Sequence, residues 1–309
     1  MKIITLTLNP AFDIHCYAES FELYRESVAE VTERDAGGKG INISRALCEM
    51  NIPNTAFVVL GKDNGEEFKQ MLSQYKINFE AIEIDGRIRE NITVHLKDKP
   101  ETRLSFRGFN ATDLVLDSLE DRLLNEITEE SYLTFTGSIP SGISHKRVLD
   151  FLQKMRKKGV RLVIDSKSIT KEDLINIKPW LIKPNEEEVS SYIGHEAKSL
   201  EDCVLGAREL NAAGIENVMI TLGKKGALLA RDGEIYIASA PEVKAISTIG
   251  AGDSSIGGFL YSEYNGKTVE NSLKTAVAYG TAACLTNGTN PPLEKDIESI
   301  IREIKVTKL

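Results

Sequence analysis

The chain has 309 residues, 41% of them apolar and 27% charged, the balance of a globular protein able to bury a sizeable core. Its net charge of −8 argues against nucleic acid as a partner, because a phosphate backbone demands a basic surface. No apolar run approaches the roughly 20 residues of a bilayer span, and the scattered cysteines and histidines lack metal-ligand or disulfide-framework spacing.

Residues 3–8 form a short apolar, β-branched run that reads as a strand, with no signal-peptide pattern, so a cytoplasmic location is expected. Asp13 follows in Leu8-Asn9-Pro10-Ala11-Phe12-Asp13, just beyond the strand, where α/β sheets bind ligands. A carboxylate there can accept from two sugar hydroxyls, and a solvated turn aspartate is the competing reading. Gly37-Gly38-Lys39-Gly40 then opens a helix over 41–50, with Asn42 one turn in and able to bond a hydroxyl. It lacks the Walker A spacing and follows no clear strand as a dinucleotide fingerprint would; a tight turn is the alternative.

Strand 56–60 and helix 66–75 come next. Between about 78 and 108 the runs 79–84, 91–97 and 103–106 read as strands with no helix between them, and another lies near 27–33. They predict a small antiparallel β-sheet lid, about 14–34 and 78–110, inserted in a single domain spanning 1–309. Arg87, Arg89 and Arg103 lie in or near it; an arginine fork suits a substrate phosphate, whereas Arg87 reads as surface charge. Downstream, helices at 114–127, 145–158, 200–213, 269–285 and 293–304 alternate with strands at 132–135, 161–164, 180–182 and 218–222. This alternation predicts a doubly wound α/β fold around a mostly parallel sheet.

Three further loops follow buried strands or open helices. In Lys183-Pro184-Asn185-Glu186-Glu187-Glu188 the carboxylates either suit a helix N-terminus or attract Mg²⁺ through water. Thr221-Leu222-Gly223-Lys224-Lys225-Gly226 reads as a loop over phosphates or as a hairpin turn. Thr248-Ile249-Gly250-Ala251-Gly252-Asp253-Ser254 precedes a helical run over 256–264. Backbone amides at such a glycine turn converge on an anion, and the adjacent aspartate can take a proton from an attacking hydroxyl. A glycine turn capped by an acid is the plainer alternative.

Together, in this order, these motifs resemble the ribokinase/PfkB family of carbohydrate kinases, in particular its branch acting on phosphorylated ketohexoses. The resemblance rests on Leu-Asn-Pro-Ala-x-Asp, Gly-Gly-Lys-Gly-Ile-Asn, Gly137-Ser138-Ile139-Pro140-Ser141-Gly142, Lys-Pro-Asn-x-x-Glu and Gly-Ala-Gly-Asp-Ser. It implies a ribokinase-like, Rossmann-like fold, ATP and Mg²⁺ as cofactors, and fructose 1-phosphate as the first acceptor, with tagatose 6-phosphate as the alternative. It implies Asp253 as base, Gly250, Ala251 and Gly252 as anion hole, and Asp13, Gly38 and Asn42 as sugar ligands. Lys39, Arg89, Arg103 and Ser138 would lie near the substrate's phosphate. Lys183, Asn185, Thr221, Gly223, Gly226, Gly252 and Asn287 would lie with ATP, and Glu188 with Mg²⁺ through water. A homodimer through the lid is also implied. The chain departs from the branch at Ser27, Val28 and 105–110, and Phe12 and His15 flank Asp13. A different class, a non-catalytic sugar-phosphate or nucleotide sensor, has little need of Asp253.

Overall fold

A computed structural model describes residues 1–97 and 101–309; residues 98–100, inside the expected lid segment, lie outside the described residues. The strands are β1 (Ile3–Thr7), β2 (Ala11–Ala18), β3 (Ala29–Gly37), β4 (Thr55–Gly61), β5 (Phe79–Ile84), β6 (Arg89–Leu96), β7 (Thr102–Ser105), β8 (Tyr132–Thr136), β9 (Arg161–Asp165), β10 (Leu181–Ile182), β11 (Asn217–Thr221), β12 (Ala227–Arg231), β13 (Glu234–Ala238) and β14 (Val306–Lys308). The helices are α1 (Lys39–Glu49), α2 (Gly65–Gln74), α3 (Leu114–Glu126), α4 (His145–Lys157), α5 (Lys171–Ile177), α6 (Glu186–Ile193), α7 (Leu200–Ala212), α8 (Ala251–Tyr264), α9 (Val269–Ala283) and α10 (Glu294–Glu303).

The main sheet has 10 strands in the order β14-β13-β12-β11-β10-β9-β8-β1-β4-β5. Neighbours from β5 to β11 are parallel, and β12, β13 and β14 extend the sheet antiparallel. Period-two alternation divides its side chains between two cores. In β1, Ile4 and Leu6 enter the core shared with α2, α3, α4 and α7, while Ile3 enters the one shared with α8, α9 and α10. Thr5 faces that second side, where its hydroxyl and the Ser44 hydroxyl of α1 are 2.7 Å apart. Among the described residues no helix is long and apolar enough to cross a membrane.

The second sheet has four strands in the order β3-β2-β6-β7. Its outer pairings are antiparallel, while β2 and β6 run parallel, because both leave the same edge of the main sheet in the same direction. Two expectations are corrected here. The run 79–84 is not a lid strand: as β5 it pairs parallel with β4 through α2, completing an ordinary crossover. Asp13 lies not in a loop after the first strand but within β2, opposite Asp35 of β3 and Asn91 of β6. The β12–β13 hairpin also went unpredicted, although its turn, Asp232-Gly233 with φ 54° and 79°, carries a recognisable hairpin signal.

Helix α8 packs on α9 through glycine. A Cβ on Gly258 would meet Tyr279 Cγ at 2.7 Å and the Thr275 carbonyl oxygen at 2.8 Å. This contact fixes α8, and with it the loop at its N-terminus. Glycine-to-alanine in a helix interior ordinarily stabilises by up to about 1 kcal/mol. Here the sign should reverse: Gly258→Ala is expected to destabilise by about 1–3 kcal/mol through overpacking. Urea unfolding checks this, and a variant as stable as the wild type would mean that α8 and α9 have room to separate.

Candidate active site

The C-terminal ends of β1, β8, β9 and β10 open on one edge of the sheet, facing the inner side of the four-stranded sheet. Between them lies a cavity of about 390 Å³. It gathers Asp13, Gly38, Lys39, Asn42, Arg89, Arg103 and Ser138, the residues expected at the sugar and its phosphate, together with Gly250, Gly252 and Asp253. Gly38 supplies a φ of 138° at the start of α1, and a Cβ on Gly40 would come within 2.5 Å of Thr7 Oγ1. Only a glycine run lets α1 begin this close to β1.

Gly250 caps α8 with φ 79°, which sets the N-terminus of the helix against the cavity; the Ala251 amide donates to the Thr248 carbonyl at 3.4 Å, and Gly252 and Asp253 follow in the cavity wall. Asp253 sits in this first turn, 7% exposed. Asn42 Nδ2 donates to its Oδ2 at 2.8 Å. Burial pushes the Asp253 carboxyl up to about 6, with the Asp165 carboxylate acting in the same direction and Lys39, Asn42 and Lys183 holding it back. A carboxylate so placed is ionised at neutral pH yet a far better proton acceptor than a surface aspartate.

Asp165, at the end of β9, was not singled out in the sequence. Lys39 Nζ donates to its Oδ2 at 2.9 Å, and Lys183 Nζ lies 3.5 Å from the same oxygen. Burial favours its neutral form, but the two lysines outweigh that and hold its carboxyl below the ordinary range. Burial likewise works against the charge on Lys39, and Asp165 and Asp253 outweigh it to raise the ammonium's pKa. Lys183, expected beside ATP, lines this first cavity, where its Nζ would be 3.0 Å from a Cβ on Gly252.

A second cavity, of about 950 Å³, lies on the other side of the α8 N-terminus. Asn185, Thr221, Gly223 and Gly226, four of the residues expected beside ATP, line it together with Ala251, and among the described residues Gly252 alone lines both cavities. The Thr221 amide donates to the Pro184 carbonyl at 3.0 Å, which brings the two loops together. Asn287, also expected beside ATP, is exposed and is not among the residues lining either cavity, and the far wall comes from Val277, Gly280, Thr281 and Cys284 of α9 and its end. Asn185 and Glu188 form a capping box on α6, with Asn185 Oδ1 accepting from the Glu188 amide at 2.8 Å and Glu188 Oε2 accepting from the Asn185 amide at 3.1 Å. Glu188 Oε1 takes part in no hydrogen bond among the described residues, and Glu188 lines a small cleft with Asp165 and Lys183.

Residues 7–296 match the pfkB family of carbohydrate kinases. The chain belongs to that family. It is 31% identical over 282 residues to the 1-phosphofructokinase of Escherichia coli, covering 91% of this chain and 90% of that protein. It is 29% identical over 309 residues to the 1-phosphofructokinase of Haemophilus influenzae, covering 100% and 99%. The structure of phosphofructokinase-2 from Escherichia coli in complex with substrates and products superposes with a TM-score of 0.92 at 28% identity, covering 98% of this chain and 99% of that one.

In this pfkB kinase the residues overlooked in the sequence were partly findable. Asp165 ends a buried parallel strand, where ligand-binding residues collect. Asn91 lies two residues beyond Arg89, hence on the same strand face. The α9 wall carried no such signal, because its small and apolar residues look like core.

The raised Asp253 carboxyl has a stability consequence of definite sign. Its folded-state value exceeds the ordinary 3.8, so the folded protein holds this proton more tightly than the unfolded chain does. Stability from this group is complete below about pH 4 and is lost as pH rises toward 6. Across that window the wild type should therefore lose on the order of 3 kcal/mol relative to Asp253→Asn. Parallel denaturation curves for the two proteins from pH 4 to 7 would contradict the shift.

Proposed function

We propose that this chain transfers the γ-phosphoryl group of ATP to a hydroxyl of a phosphorylated ketohexose, with fructose 1-phosphate the first acceptor. The observation that carries this reading is the position of the α8 N-terminus between the two cavities. Gly252 borders both, and Asp253 faces the smaller one, so a hydroxyl beside Asp253 and a phosphoryl group at the α8 N-terminus would meet there. The names of the relatives, 1-phosphofructokinases, support the acceptor class.

In this reading Asp253 accepts the hydroxyl proton as the sugar oxygen bonds to the γ-phosphorus, and the bond to ADP breaks. Backbone amides of Gly250, Ala251 and Gly252 face the charge that spreads over the transferring oxygens. Lys39 and Lys183, steadied by Asp165, supply positive charge on the same path. Asn42 holds the Asp253 carboxylate in place, and Asp13 accepts from the sugar. Arg89 suits the existing phosphate. Among the described residues its three nitrogens reach only the carbonyls of Asn9, Pro10 and Phe106, at 3.2–3.4 Å, and burial lowers the pKa of its guanidinium, so a dianion would relieve it.

Among the described residues no three His, Cys, Asp or Glu side chains converge into a metal cage. Mg²⁺ would be held mainly by phosphates and water, with Glu188 as the side chain that would reach it through water. Bound in this way, Mg²⁺ neutralises phosphate charge. Apolar groups exposed along the second sheet, Tyr17, Val31 and Leu104 among them, would be covered by a second copy closing lid against lid.

The test is ADP release with ATP and Mg²⁺ against fructose 1-phosphate, fructose 6-phosphate, tagatose 6-phosphate and the free sugars. Turnover is expected on a phosphorylated ketohexose, fructose 1-phosphate first. Asp253→Asn should lower kcat by about 10²–10⁴. The acid limb of kcat/KM should fall near pH 6, activity declining as pH drops through it, because protonated Asp253 cannot act as base. Near-normal turnover by the Asn variant would remove Asp253 from this role.

A further inference from the structure

We infer that Arg103, together with Asn91, is a positioning residue that clamps Asp13 for reading a sugar hydroxyl, and that the substrate's phosphate is left to Arg89. This rests on the functional reading above and divides its two lid arginines between different jobs.

The two guanidiniums sit in different surroundings. Arg103 Nη2 donates to Asp13 Oδ1 at 2.6 Å, a short charge-assisted contact. Asn91 Nδ2 donates to the same oxygen at 2.9 Å. Sheet register produces this convergence: Asp13 is directly opposite Asn91, and β7 carries Arg103 opposite Thr93, two residues further along the same strand as Asn91. Asp13 and Asn91 are each 5% exposed.

The other Asp13 oxygen is treated differently. Oδ2 takes part in no hydrogen bond among the described residues, and it is not sealed from the cavity as buried unpaired oxygens are. On its far side a Cβ on Gly37 would come within 2.1 Å of it. One oxygen is therefore fixed by two donors, and the other is kept open by a glycine. That is the arrangement of an acceptor preset for a ligand hydroxyl.

Arg89 has the opposite setting. Among the described residues no carboxylate comes within 4.0 Å of it, whereas Arg103 has spent its charge on Asp13. An arginine whose partner is a buried carboxylate offers less to a phosphate than one held only by long contacts to carbonyls.

The test separates the two arginines by an acceptor that has no phosphate. Initial rates with saturating ATP are measured on fructose 1-phosphate and on free fructose for the wild type, R89M, R103M, R103K and N91A. R89M should lower kcat/KM on the phosphosugar by about 10–10² and change it on free fructose less than about 2-fold. R103M and N91A should lower kcat/KM about 10-fold or more on both acceptors, mainly through KM, with KM for ATP unchanged. R103K, which keeps the charge, should recover part of the loss on both. N91A alters no charge, so it reports the clamp even if R103M folds poorly. The inference is overturned if R103M and N91A spare free fructose and reduce only the phosphosugar rate. A wild type that prefers the phosphosugar while R103M behaves like R89M would overturn this division of labour alone. A wild type with no turnover of any phosphosugar would overturn the functional reading and this inference together.

Discussion

A buried carboxylate has to have its charge managed, and Asp253 poses that problem for the whole site. Burial at the α8 N-terminus favours its proton, and Asp165 nearby adds to this. Lys39 and Lys183 pull the other way, and both are anchored on Asp165. The same lysines thus hold two carboxylates and the path of an incoming phosphoryl group in rough electrostatic balance. The glycine turn and the α8–α9 contact exist in the service of this point, since they decide where the helix end lies to within the size of a methyl group.

The second sheet solves a different problem. Its strands β2 and β6 carry Asp13, Asn91 and Arg89 over the mouth of the main sheet, so the acceptor recognition proposed for them would sit on an element joined to the core by short connections. Nucleotide-side residues come instead from loops after β10 and β11 and from the α9 wall. Separating the two binding functions in this way lets each half of the reaction be shaped by its own part of the fold, with Gly252 as the shared boundary.

Much of the fold was legible because it is written locally. Continuous apolar runs marked the buried strands β1, β4, β8, β9 and β11, and helix limits agreed to within a few residues at most ends. The glycine-rich loops also placed Gly38, Gly223, Gly226, Gly250 and Gly252 in the walls of the two cavities. Local signals failed for β5, whose alternating pattern suits an edge strand of either sheet. They also failed for Asp165, whose importance comes from two lysines far from it in the chain.

By itself the sequence determined the helix and strand periods, the loops that need glycine, and the order of motifs that identifies the family. These depend on residues within a turn or two of one another. Only the tertiary structure decided which charges meet: Arg103 with Asp13 across 90 positions, Lys39 with Asp165 across 126, and Asn42 with Asp253 across 211. Such pairings follow from strand order and register. Those are set by the packing of the whole sheet between its two cores, and no local preference specifies them.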